Sequence, residues 1–200
     1  NCEEHHIPSN DENTHRCIVK TVEVKESLNN DKYAVWDIES SCDYDLLGQS
    51  SEHICNCIVL KYLFSDEPSI KWTGMGCMDD FASWVLEQKR TTFLAHNGKA
   101  YDTWLLHKYL VKHSEKRPSS LVLAGNKIMS MTIGSNKFLD TLNHFGCGLA
   151  KLPKMWGMDK NISKGYFPYK FNTKSNEDYV GKMPDMIYYD CDKMPSNARK

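Results

Sequence analysis

The stretch KYAVWDIESSCDYD, residues 32–45, sets the fold class and poses the functional question together. Tyr33 to Ile38 reads as a β-strand, because aromatic and branched side chains dominate it and the strand period is two. Val35, Asp37 and Glu39 then share one face, with neighbours roughly 7 Å apart along it. Ala34, Trp36 and Ile38 share the other. Two carboxylates on one face of an otherwise apolar strand are costly to bury unless something pairs them. Hard divalent cations such as Mg²⁺ or Mn²⁺ are the partners that such oxygens suit.

Outward from this strand, ICNCIVLKYLF suggests a second strand over 55–63 and a third over 68–72, with a turn at SDEPS. A helix fits 79–89, where Phe81, Trp84 and Val85 fall at i, i+3 and i+4 and Asp79 or Asp80 can cap it. TTFLAH, 91–96, reads as a strand, and 102–112 as a helix with Leu105/Tyr109 and Leu106/Leu110 at helical spacing. LVLAG follows, and KIMSMTIGSNKFLDT predicts a hairpin turned at Gly134-Ser135-Asn136. GLAKLPKMWG predicts a short helix interrupted by Pro153, and beyond residue 158 lysines and aromatics carry little periodicity. Strands mixed with helices indicate an α/β domain over 32–200. Residues 1–31 are acidic and polar, and read as a linker or appendage.

A chain of 200 residues with 40% hydrophobic content can bury one real core. The net charge of −1 hides an asymmetry: residues 1–53 hold 12 acidic and 4 basic side chains, and the rest hold 14 and 21. The basic part suits a polyanionic partner, and it equally suits a solvated surface. No apolar run approaches the roughly 18 residues of a membrane span, and no secretory signal pattern is present. The chain begins with Asn and its first methionine is Met75, so it reads as a piece of a longer or processed protein. Eight cysteines without a disulfide framework suggest reduced thiols inside a cell. Cys55 and Cys57 fall on one face of their strand and suit core packing.

The second informative stretch is FLAHNGKAYDTWLL, 93–106. Asp102 opens a helix just after a strand and a turn, where α/β folds often hold ligands. Alone, it would cap the helix for about 1 kcal/mol, and Asn97 would be a turn residue before Gly98. A D-x-E strand followed by N-x-x-x-Y-D is a rarer pairing than either alone.

Asp37-Ile38-Glu39 resembles the first motif of the DEDD 3′–5′ exonucleases. Asn97 through Tyr101-Asp102 resembles their second motif in the form used by family B DNA polymerases. In FLDTLNHF (138–145), Thr141, Leu142 and Phe145 resemble the Ser/Thr-Leu-x-x-hydrophobic motif of the protein-primed members. In SKGYFPYKFNT (163–173), Lys164 and Phe167 resemble their lysine motif. The run from 164 to 190 is similar to the organellar, viral and transposon (Polinton-like) branch. The resemblance covers roughly residues 32–200. It implies a ribonuclease H-like 3′–5′ exonuclease domain, a mixed sheet with flanking helices, from a DNA-directed DNA polymerase of DNA replication. It implies two Mg²⁺ or Mn²⁺ ions on Asp37, Glu39 and Asp102, with Lys164 stabilising charge on the phosphate. Ser40, Asn97, Tyr101, Thr141, Leu142, Phe145 and Phe167 are the implied DNA contacts. The implied partners are a single-stranded 3′ end, template-primer DNA and a terminal priming protein.

The family also uses a fourth acid, in a helical Tyr-x-x-x-Asp motif. Tyr188 and Asp192 have that spacing, but Pro195 and the surrounding turn residues make this stretch a loop. The fourth acid is therefore expected beyond residue 200, with the domain incomplete at its C-terminus. No polymerase-site motif is present, so polymerisation is not expected, and nuclease activity of the chain alone is expected to be feeble. A stand-alone DEDD nuclease and a non-catalytic nucleic-acid-binding remnant are the alternatives. Near the N-terminus Cys2, His5 or His6, His15 and Cys17 could hold zinc tetrahedrally. The resemblance implies a Cys/His knuckle there, and an acidic tail with incidental Cys and His is the alternative.

Overall fold

The alternation expected from Tyr33 onward is present in strand β1 (Lys32–Ser41), where Ala34, Trp36 and Ile38 are buried and Val35 and Asp37 are exposed. The structure is a computed structural model that describes residues 31–41, 52–159 and 165–190, all within the unit Asp31–Lys200. β2 (Ile54–Tyr62) pairs antiparallel with β1, and β3 (Ile70–Thr73) pairs antiparallel with β2. On the other side of β1, β4 (Thr91–Ala95) runs parallel to it, and β7 (Asn136–Asp140) runs parallel to β4. β6 (Lys127–Ile133) and β5 (Ser120–Ala124) complete the sheet antiparallel. The order is β3-β2-β1-β4-β7-β6-β5, a mixed seven-stranded sheet. Helix α1 (Cys77–Glu87) packs on β2, β3 and helix α2 (Asp102–His113), and α2 reaches β6. This α/β architecture is consistent with a ribonuclease H-like fold.

The core forms where the central strands place aromatic rings on the helix side of the sheet. Trp36 of β1 stacks on Phe81 of α1 at 5.3 Å and meets Phe138 of β7 edge-on at 5.7 Å. Phe93 of β4 stacks on Phe138 at 4.6 Å. Phe81, Phe93 and Phe138 are fully buried, and each such ring contributes roughly 1.5–3 kcal/mol by removal from water. Buried Asn136 joins three elements: its Oδ1 accepts from Thr91 N–H, and its Nδ2 donates to the carbonyls of Val85 and Gln88. It is thus the first residue of β7, and the hairpin turns on Gly134 and Ser135, with Gly134 at φ +59°.

Several local expectations change. α1 starts earlier than expected, with Gly76 as its N-cap and no side-chain capping bond. Asp79 and Asp80 sit inside its first turn, where the helix dipole favours acids. Pro153 lies at the start of the short helix α4 (Leu152–Met155) and initiates it, because a proline there gives up no intrahelical bond. Between Glu39 and Ser40 the register with β2 slips, so that Cys57 and Cys55 oppose consecutive β1 residues with Asn56 extra. This bulge reverses the side-chain alternation. Cys55 and Cys57 therefore do not share a face: Cys55 is buried with its Sγ 3.4 Å from Cys77 Sγ, and Cys57 is half-buried. These two cysteines, Cys77 and Cys147 are free thiols. Among the described residues, no helix is long and apolar enough to cross a membrane.

Candidate active site

Because β1, β4 and β7 are parallel, their carboxyl ends lie along one edge of the sheet, the usual ligand edge of α/β folds. β1 outruns its neighbour there: its last pair with β4 is Val35–Leu94, yet β1 continues to Ser41. Beyond that point the Ile38 N–H needs another acceptor, and Asp102 Oδ1 supplies it at 3.0 Å. Asp102 is the first residue of α2 and is only 6% exposed. The N-cap residue Tyr101 makes no side-chain capping bond, and the Asp102 carboxylate ties the helix start to the central strand. Burial, and then the charge of Asp37, raise its pKa from 3.8 to about 6, against the lowering effect of the backbone N–H groups.

Asp37, Glu39 and Asp102 line one cleft of about 380 Å³ together with Ser40, Asn97 and Tyr101. The loop carrying Asn97 is built by β7. Asp140, at 2% exposure, accepts from Asn97 N–H and Leu142 N–H on Oδ1 and from Lys99 N–H on Oδ2. Asn97 takes a left-handed conformation (φ +69°), which asparagine tolerates better than most residues. Gly98 follows because nothing larger fits: a Cβ there would lie 2.6 Å from Ala95 Cβ. Gly98→Ala is expected to cost about 1–3 kcal/mol through overpacking and to lower any activity of the cleft by displacing Asp102. Thermal denaturation of the variant checks the first part; an unchanged melting temperature would contradict it.

The opposite wall is polar. Tyr101 Oη, Ser40 Oγ and His53 Nδ1 are mutually hydrogen-bonded. Tyr169 also borders the cleft, and burial, with Glu39 and Asp37 adding, raises its phenol pKa. Its segment is seated by Asn172, which donates to the Ser40 carbonyl at 2.9 Å and accepts from Asn56 at 2.6 Å.

The remaining expected residues are placed differently. Thr141 sits behind the cleft, its Oγ1 2.9 Å from His96 Nδ1, while His96 itself borders the cleft. Leu142 follows it at the start of helix α3 (Leu142–Phe145), and Phe145 packs edge-on against Trp156. None of these three lines the cleft. Phe167 is half-buried and supports Tyr169 at 5.2 Å between ring centres. Lys164, Asp192 and the N-terminal Cys2, His5, His6, His15 and Cys17 lie outside the described residues. Asp140, His53 and Tyr169 were not singled out from the sequence. Asp140 had a visible signal, an acid ending the apolar run FLD, whereas His53 had none.

The three carboxylates of the cleft, Asp102 buried among them, are oxygen donors of the kind a hard cation takes, and the imidazoles of His53 and His96 border the same cleft. Among the described residues, no group of three or more His, Cys, Asp or Glu side chains is placed to hold a metal ion. An open pair is nevertheless what Mg²⁺ commonly uses, because it keeps waters and completes its shell with substrate phosphates.

No protein-family model matches this chain, and no curated protein matches its sequence. Its fold is found in Phi29 DNA polymerase, solved with primer-template DNA and with single-stranded DNA: the TM-score is 0.53 at 12% identity, over 70% of this chain and 25% of that one. The Phi29 ternary complex with primer-template DNA and incoming nucleotide aligns over 84% of this chain and 27% of that one, at TM-score 0.51 and 12% identity. A family B DNA polymerase from the hyperthermophilic archaeon Pyrobaculum calidifontis aligns at TM-score 0.45 and 15% identity, over 64% of this chain and 18% of that one. This chain thus spans about a quarter of the Phi29 polymerase chain, and at such identity the likeness is one of fold.

Proposed function

We propose that this chain is the 3′–5′ exonuclease portion of a family B DNA-directed DNA polymerase, of the protein-primed type, and carries no polymerase site. The observation that carries this reading is the meeting of Asp37, Glu39 and Asp102 with Ser40, Asn97 and Tyr101 in one cleft. These residues come from two motifs far apart in sequence, and the fold that joins them is shared with a DNA polymerase.

In this reading Asp37, Glu39 and Asp102 would hold two Mg²⁺ or Mn²⁺ ions, which would supply an activated water and charge stabilisation at the scissile phosphate and the leaving 3′ oxygen. Tyr101 offers its ring to a terminal base, as aromatic residues do for single strands. Asn97 and Ser40 orient the terminal nucleotide by hydrogen bonds, and Lys164 offsets negative charge developing on the phosphate. Residues 32–200 act as the nuclease domain and residues 1–31 as an appendage, with zinc on Cys2, His15 and Cys17 a separate matter for metal analysis. A terminal priming protein and template-primer DNA are the partners of the longer polymerase.

The test is incubation of the chain with 5′-labelled single-stranded DNA and Mn²⁺ or Mg²⁺, beside Asp37→Ala and Asp102→Ala. Slow stepwise shortening from the 3′ end, feeble as expected of a chain whose fourth acid lies beyond residue 200, that falls to background in both variants is the expected result. That no group of three or more His, Cys, Asp or Glu side chains among the described residues is placed to hold a metal ion favours a second reading, a non-catalytic DNA-binding module. DNA binding with no cleavage, or with equal cleavage by both variants, would put that reading first.

A further inference from the structure

Three residues from separate parts of the chain meet on the polar wall of the cleft. Ser40 follows the bulge near the end of β1, Tyr101 lies between the Gly98–Ala100 turn and α2, and His53 stands just before β2. His53 Nδ1 is 2.8 Å from Tyr101 Oη and 3.2 Å from Ser40 Oγ, and the Ser40 and Tyr101 hydroxyls bond each other. The imidazole also stands edge-on to the Tyr101 ring, with centroids 5.5 Å apart at 84°. We propose that His53 is a positioning residue for DNA binding in this cleft, fixing the Tyr101 ring and the Tyr101 and Ser40 hydroxyls toward a single-stranded 3′ end. The inference rests on the exonuclease reading above.

The physical basis is the freedom that two hydroxyls would otherwise keep. A serine and a tyrosine can exchange donor and acceptor roles, and each hydroxyl hydrogen can rotate. A neutral imidazole has one accepting and one donating nitrogen, in fixed directions. With the proton on Nε2, Nδ1 accepts one hydroxyl hydrogen, and the shorter 2.8 Å contact favours the ordering in which Tyr101 donates to His53 Nδ1 and Ser40 donates to Tyr101. That ordering fixes the directions of both hydroxyl hydrogens. It also holds the Tyr101 ring at a residue with the unusual backbone angles φ −144° and ψ −74°, one step before Asp102. His53 thus acts through Tyr101 rather than on the reacting phosphate.

Two consequences separate this role from a structural one. The effects of His53 and Tyr101 must be non-additive, because they act as one unit. An asparagine must substitute for His53, because its amide can occupy the place of Nδ1 and bond the same hydroxyl. His53 is exposed, so its replacement does not open the core. The experiment uses the full chain as wild type, His53→Ala, His53→Asn, Tyr101→Phe and the His53→Ala/Tyr101→Phe double variant. Binding of a fluorescent oligothymidylate in chelator is measured by anisotropy, and shortening with Mn²⁺ is measured for KM and kcat. His53→Ala is expected to weaken binding and raise KM about tenfold, with kcat within about threefold. Tyr101→Phe should do the same, the double variant should be no worse than either single, and His53→Asn should stay within about threefold of wild type. Additive losses in the double variant, an unaltered His53→Ala, or a His53→Asn as poor as His53→Ala would overturn the assignment alone. A wild-type chain that neither binds nor shortens the strand would overturn the exonuclease reading together with it.

Discussion

Asp102→Asn is expected to make the metal-free chain more stable at pH 7.5 and to remove its metal-dependent cleavage. The folded-state pKa of Asp102 is about 6, above the 3.8 of an unperturbed aspartate, because burial comes first and Asp37 second in disfavouring its charge. Below about pH 4 the carboxyl is protonated in both folded and unfolded chains, and it costs nothing. As pH rises from about 4 to about 6 the unfolded chain loses its proton first, so folding stability falls. Above about pH 6 the full cost remains, and a two-unit shift corresponds to about 3 kcal/mol. Asparagine mimics the protonated form and keeps an oxygen for the Ile38 N–H, the bond that ties α2 to β1.

In chelator, the variant should therefore melt roughly 5–10 °C above wild type at pH 7.5, and at nearly the same temperature at pH 4. Adding Mn²⁺ should stabilise wild type more than the variant, since a cation relieves the repulsion that asparagine has already removed. Cleavage should fall by on the order of a hundredfold or more, beyond what loss of an outer ligand contact does. A variant less stable than wild type at pH 7.5, or a gain independent of pH, would show that the buried charge is compensated within the protein. The expected opposition of stability and activity is the signature of a carboxylate retained for a ligand rather than for folding.

The parts of this molecule that were legible in its sequence are those set by local period. β1, β4, α1 and α2 follow from alternation and helical spacing, because their apolar faces are continuous over several residues. Asp37 and Glu39 stood out as acids on one face of a strand-like run, and Asp102 as an acid opening a helix just after a strand and a turn. What was not legible depends on register and on long-range hydrogen bonds. The bulge at Asn56 turns Cys55 toward Cys77, and no local pattern marks an inserted residue. His53 reaches the cleft only because β2 returns alongside β1, so an unremarkable histidine meets Tyr101 from 48 residues away. The bond from the Ile38 N–H to Asp102 was illegible for a related reason, since it joins a helix start to a strand 64 residues away.

Asp140 gives the second large expectation: Asp140→Ala should cost about 3–5 kcal/mol and dismantle the cleft together with part of the fold. Its two oxygens accept three backbone N–H groups, from Asn97 at 2.9 Å, Lys99 at 3.0 Å and Leu142 at 2.7 Å. Alanine would leave all three donors without an acceptor, and each buried loss of this kind costs about 1–3 kcal/mol, less where water can enter. Two of the donors belong to the loop that turns from β4 into Tyr101 and Asp102, and one of these sits on the left-handed Asn97. Without the carboxylate that loop keeps, near the end of β7, the hydrogen bonds of His96 with Thr141 and of Lys99 with Asn143. Asp140→Asn divides the effect: its carbonyl oxygen can still serve Asn97 and Leu142, while its amide nitrogen faces the Lys99 N–H as donor to donor. An intermediate loss of about 1–3 kcal/mol is expected for it. Urea denaturation of the two variants measures both costs, and DNA shortening at a temperature where each stays folded measures the displacement of Asp102. If Asp140→Ala matched wild type in stability, the loop would owe its shape to Gly98 and the Asn97 backbone alone. If Asp140→Ala lost stability and kept full activity, the loop would be held for folding and the cleft would be positioned from β1.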